Sequence, residues 1–365
     1  MPENRETADL ESDLAVLSAM VLAPAQTADE LIERIDYVYA SLASIDFSRY
    51  DVNQLTDRAP ILIQQFFRTR MDVREQLRVW QRQGLLTGQV QRALRDLFRA
   101  MRYGADMLGE VGIGFRRLTN GARPLTAFRG RDMNTLINPR FDERRDLPFQ
   151  SGDVLLVRGR HHNSAAIARI GDIDSQYSHL GIVYVDPRGY NWIVEVLIED
   201  GGTITPLEDA LSHDLGRAIV LRHRDTALAQ RAAFVAHEHV KQSMSRYAFE
   251  RASEGACVLP TFPTRLAIAN KDFFNRIGVT ADVTFAPGDL ELEPDFDVVA
   301  EWQDYRTTAS LRHQDIVMDK LFAWMDDYQL KFKETMLINI VSWGGRRTAS
   351  FSNTVKSMIS DVVPK

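Results

Sequence analysis

The apolar positions of the chain change their period along its length. Up to about residue 115 they recur at helical spacing. Within residues 29–39, Leu31, Ile32, Ile35, Val38 and Tyr39 share one face. Thr27 predicts the start of this helix, because Thr is a favoured cap and Glu30 stands three residues on, as in a capping box. Residues 73–83 predict a second helix, with Gly84 as its stop signal. Residues 87–108 predict a third, striped by Val90, Leu94, Leu97, Phe98 and Met101. The stripes are narrow and the opposite faces charged, so a packed helical bundle over 1–115 is expected rather than a membrane or partner surface.

Over 116–146 the periodicity fades. Glycines and prolines accompany Arg140, Arg144 and Arg145, with Asp142, Glu143 and Asp146 among them, which reads as a linker of mixed charge. From about residue 147 short β-branched runs take over. Val154-Leu155-Leu156-Val157 follows the turn at Gly152-Asp153. Leu180-Gly181-Ile182-Val183-Tyr184-Val185 and Trp192-Ile193-Val194-Glu195-Val196-Leu197 flank the turn Asp186-Pro187-Arg188-Gly189 and read as a hairpin. Further strands are expected at Gly201-Gly202-Thr203-Ile204, at 217–222 and at 296–302, with helices over 206–211, 227–244 and 264–277. Residues 303–365 are expected to form a helical extension, in which Leu321, Trp324, Met325, Tyr328 and Phe332 supply an apolar face at helical spacing. The pattern predicts an α+β unit over 147–302 with helical segments on both sides.

Composition narrows the function classes. The 365 residues are 45% hydrophobic and 26% charged, ordinary values for a globular chain, and no repeat of 20–50 residues is apparent. A formal net charge of -6 gives no basic footprint for nucleic acid. The single cysteine, Cys257, rules out an intramolecular disulfide and a multi-cysteine zinc site. No run approaches the ~20 apolar residues of a membrane span. The apolar stretch 14–25 ends in Ala23-Pro24-Ala25, yet Glu3, Glu6, Asp9, Glu11 and Asp13 stand where a signal peptide carries positive charge, so a cytoplasmic location is expected.

Two polar residues stand out among the strands. His179 opens one strand and Glu195 lies inside the next, so adjacent strands can bring a base and its orienting partner together. The plainer alternative is a structural His at a strand edge and a Glu facing solvent, since successive strand residues point to opposite faces. Gly152-Asp153 before a strand, Ser178-His179-Leu180-Gly181-Ile182-Val183 on the next and Val194-Glu195 on the third resemble the circularly permuted NlpC/P60 (YiiX-like) papain-fold hydrolases. The turn Pro287-Gly288-Asp289-Leu290 before Phe296 is similar to one that precedes the last core strand of that family. The likeness covers about 147–302.

The resemblance implies a permuted papain-like core with an antiparallel sheet, and a thiol hydrolase or acyltransferase acting on amide or ester bonds of a peptide or lipid. It picks out Cys257 as nucleophile, His179 as base and Glu195 as the residue that orients His179. A free thiol titrates near ~8.5, so an adjacent imidazolium is needed to hold the thiolate at neutral pH. Tyr247, in a Tyr-x-Phe pattern shortly before Cys257, is expected to line the cleft, together with Tyr177, His161 and His162. No cofactor and no metal are expected; His237-Glu238-His239 lacks the i,i+4 spacing of a metalloprotease helix. The stretch Cys257-Val258-Leu259-Pro260-Thr261-Phe262-Pro263 departs from the family, whose Cys opens a helix; here Thr264 occupies that place. Either the loop delivers Cys257 to the site, or the nucleophile is missing and the module binds a lipid or peptide without cleaving it.

Overall fold

The computed structural model of the chain describes residues 7–114, 134–141, 148–169, 175–197, 201–212, 215–242 and 287–327. The N-terminal part is helical: α1 (Thr7–Leu22), α2 (Ala28–Ala43), α3 (Val52–Arg82) and α4 (Gly88–Gly114). Thr27 caps α2, its hydroxyl accepting from the Glu30 backbone N–H at 3.1 Å. The Glu30 carboxylate reaches back to the N–H of Gln26 at 2.8 Å, one residue earlier than a capping box predicts. Residues 73–82 are only the end of α3, which runs for 31 residues from an Asp51 cap and takes Pro60 into its interior. Its buried stripe of Leu55, Ala59, Leu62, Ile63, Phe66 and Phe67 gives the longer helix its packing face. Gly84, at φ 74, ends it as expected. The apolar stretch near the N-terminus belongs to α1 and packs Leu10, Leu14 and Val21 into the same core.

The remainder builds a seven-stranded sheet in the order β1-β7-β6-β2-β3-β4-β5, antiparallel throughout. The strands are β1 (Asn134–Ile137), β2 (Val154–Gly159), β3 (His179–Val185), β4 (Asn191–Leu197), β5 (Gly201–Pro206), β6 (Leu215–His223) and β7 (Phe296–Gln303). Between and after them lie α5 (His162–Ile167), α6 (Leu207–Ser212), α7 (Thr226–Gln242), a 3-10 turn at Pro287–Leu292 and α8 (Thr308–Asp327). The chain is thus an α+β protein with helices at both ends. The stretch expected to be linker contributes β1, which pairs with β7; four residues are too few for an alternating pattern to show in sequence. The helix expected over 264–277 lies outside the described residues.

Alternation divides the sheet into two faces. Leu136, Val154, Leu156, Ile182, Val194 and Ile219 pack with the N-terminal helices and with Ala232, Ala233 and Ala236 of α7. Leu155, Val157, Val183, Ile193, Val220 and Trp302 pack on the other side with Leu207 and Leu211 of α6. Fully buried ion pairs join helices and sheet. Glu301 of β7 accepts from Arg70 of α3 at 2.6 Å and from Arg102 of α4 at 3.0 Å. Arg102 also pairs with Glu291, and Arg217 of β6 reaches Asp106 of α4 at 2.7 Å. On α8, Asp315 accepts from Arg158 of β2 and from the Tyr103 hydroxyl of α4, both at 2.7 Å. Gly109 lets α4 lie against Tyr305, for a Cβ there would stand 2.3 Å from the ring.

Burial pushes the Glu301 carboxyl up, and the Arg70 and Arg102 guanidiniums outweigh it, holding it at about 2. The folded value lies below the unfolded value of ~4.3, so the stabilisation is complete above that pH and fades as pH falls toward about 2. Glu301→Gln leaves two buried guanidiniums short of charge and is expected to cost about 3–5 kcal/mol in urea unfolding. The same variant should lose less stability than the parent between about pH 4.5 and pH 2.

Candidate functional site

The site begins with two turns that fix strand register. Gly152 sits at φ 95, and a Cβ there would lie 2.4 Å from the Ala229 backbone, so the turn before β2 packs directly on α7. Asp153, buried, accepts from Arg222 Nε at 2.7 Å and Nη2 at 2.8 Å, clamping the start of β2 to the end of β6. In the β3–β4 turn the Asp186 carboxylate accepts from the N–H groups of Arg188 and Tyr190, both at 2.9 Å, and Gly189 takes φ 84. This turn places Val185 opposite Asn191 and, four pairs on, Gly181 opposite Glu195.

His179 therefore lies diagonally across from Glu195 on one face, with only the side-chain-free Gly181 between them. A Cβ on Gly181 would stand 2.6 Å from Ile193 Cγ1 and 3.4 Å from Glu195 Cβ. His179 Nε2 meets Glu195 Oε2 at 2.7 Å, with the side chains 24% and 12% exposed. The pair is thus shielded enough to hold one geometry and open enough to be reached. With Nε2–H donating to the carboxylate, Nδ1 keeps the lone pair and is the nitrogen that can take a proton. The dyad stands on the sheet face opposite α3 and α4.

The other expected site residues separate. Tyr177 is fully buried, with the Arg102 guanidinium 5.2 Å above its ring. Burial pushes its hydroxyl up. It is a core residue between sheet and bundle, not a lining of the cleft as expected: its place just before β3 turns it inward. His161 precedes α5 and is exposed; His162, in the first turn of α5, is half-buried. Burial, with His313, Arg158 and His161 nearby, lowers the His162 pKa. Cys257 and Tyr247 lie outside the described residues. His237 stacks on Tyr184, ring centroids 4.2 Å apart, and contacts Glu238 at 3.0 Å, so it serves the packing of α7 on β3.

Thr203 of β5 is a neighbour the sequence did not single out. It pairs with Glu195 in register, and its hydroxyl is buried without a hydrogen-bond partner among the described residues. The strand pattern Gly201-Gly202-Thr203-Ile204 was visible, but the register that sets Thr203 beside Glu195 was not. Among the described residues no group of three or more His, Cys, Asp or Glu side chains is arranged to hold a metal, and no helix is long and apolar enough to cross a membrane. No family model, curated protein or solved structure matches the chain.

Gly181→Ala is expected to overpack the dyad's groove and destabilise the fold by about 1–3 kcal/mol. Combining it with Ile193→Ala, which removes the atoms 2.6 and 2.7 Å from the new Cβ, should cost less than the sum of the single changes. Urea unfolding of the four proteins of this cycle checks the coupling.

Proposed function

We propose that the chain is a thiol hydrolase or acyltransferase of the permuted papain-like type, acting on an amide or ester bond of a peptide or lipid substrate. The observation that carries this reading is the His179–Glu195 hydrogen bond of 2.7 Å on an accessible sheet face. A carboxylate on Nε2 fixes the tautomer and ring orientation that a general base requires.

Cys257 supplies the nucleophile in this reading. Its thiol proton passes to His179 Nδ1, and the sulfur attacks the carbonyl carbon of the substrate. As the C–N or C–O bond breaks, the imidazolium returns the proton to the departing amine or alcohol. Water or a second acceptor then cleaves the acyl-thioester, with His179 again taking the proton. Glu195 stabilises the imidazolium in both halves without giving up its own charge.

Iodoacetamide tests the thiol directly, because Cys257 is the sole cysteine and total alkylation reports it alone. Labelling at about pH 6.5 should be fast for the parent, greatly slowed in His179→Ala, and slowed less in Glu195→Ala, where the ring remains but loses its hold. Circular dichroism establishes that both variants are folded. Slow labelling of the parent that ignores His179 would mean an inert thiol and a module that binds without cleaving.

A further inference from the structure

Among the described residues, the carboxylates that meet the buried arginines of α3 do not balance their charge. Arg70 and Arg74 lie one helical turn apart on α3 and so face the same strip of the sheet. They are 0% and 6% exposed. Arg70 gives Nη2 to Glu301 at 2.6 Å, and Arg74 gives Nη2 to the carbonyl of Phe296 at 3.0 Å. Among the described residues, Nε and Nη1 of both have no hydrogen-bond partner, nor have Arg102 Nε and the Tyr177 hydroxyl. Arg102 acts electrostatically on Arg70 and Arg74 alike, so the three guanidiniums share one neighbourhood.

Two carboxylates face these three cations: Glu301, shared by Arg70 and Arg102, and Glu291, held by Arg102. Asp297 also acts on Arg74, but its carboxylate pairs with Arg224 and Arg140. Burial lowers Arg74 to about 10, which leaves it charged at neutral pH. Among the described residues that act on these guanidiniums, one positive charge is therefore in surplus within a buried interface, where an uncompensated ion is unfavourable. Glu291 Oε2 is an orphan acceptor in the same cluster, which a water could serve; a water leaves the surplus charge untouched.

We propose that the orphaned N–H groups of Arg70 and Arg74 bind a small monovalent anion of the chloride type. A monovalent ion matches the surplus of one charge, and a set made of N–H donors suits an anion and repels a cation. The site lies on the helix side of the sheet, apart from the His179–Glu195 dyad, and does not depend on the proposed hydrolase chemistry.

The full chain is unfolded thermally in sodium chloride and in sodium gluconate at equal ionic strength, gluconate being too large for a closed site. Chloride should raise the parent Tm over gluconate by roughly 2–4 °C, and Arg74→Met should abolish that difference. A parent Tm indifferent to chloride, or an equal chloride effect in Arg74→Met, overturns the assignment. Should Arg74→Met fail to fold, crystals of the parent grown in bromide decide the matter. An anomalous peak against the Arg70 and Arg74 guanidiniums supports the site, and ordered water without anomalous signal there refutes it.

Discussion

One carboxylate holds the two halves of this protein in register. Glu301 of β7 points away from the face of Trp302 and meets Arg70 of α3 and Arg102 of α4, with none of the three reaching solvent. Apolar packing tolerates sliding, because one methyl contact resembles another. A buried ion pair does not, because a shift of a few ångströms strands a charge in a dry interface. Arg217–Asp106 and Arg158–Asp315 repeat the device from β6 and β2, so three neighbouring strands of the sheet are pinned to helices by charge as well as by shape.

That constraint reaches the far face through strand pairing. β7 fixes β6, β6 fixes β2, and β2 fixes β3, where Val157 stands opposite His179. Each strand sends alternate side chains to the bundle and to the opposite face, which α6 partly covers. β3 buries Ile182 against the helices while it presents His179 on the other side, and β4 does the same with Val194 and Glu195. The dyad's geometry thus rests on a sheet held rigid from behind, which suits a base whose ring orientation matters.

The strands from β2 onward, and His179 and Glu195 as candidates, were legible because the signals are local, whereas the four residues of β1 were not. Asp186 and Gly189 mark the hairpin turn, and the turn sets the register that brings Glu195 across from Gly181. The sequence left open whether Glu195 faces His179 or solvent, and the register across Gly181 puts both on one face. The interactions that hold the sheet were not legible, since Arg70 and Glu301 stand 231 residues apart and a buried arginine reads in sequence like a solvated one. Tyr177 misled for the same reason: only the tertiary fold shows that its ring lies beneath Arg102. The sequence showed only the end of α3, which runs back to Val52 through Pro60, a residue that ordinarily breaks a helix. Thr203 shows the limit of strand reading, which finds the strand but not its partner's register.

We propose that His179 and Glu195 serve a thiol that forms an acyl-enzyme. The most direct test is intact-mass analysis after brief exposure to p-nitrophenyl acetate, an activated ester that acylates reactive thiols. A burst of p-nitrophenol and one acetyl group on Cys257, labile to hydroxylamine and absent from His179→Ala, are expected. An unmodified Cys257, or acetylation that proceeds equally without His179, would contradict it.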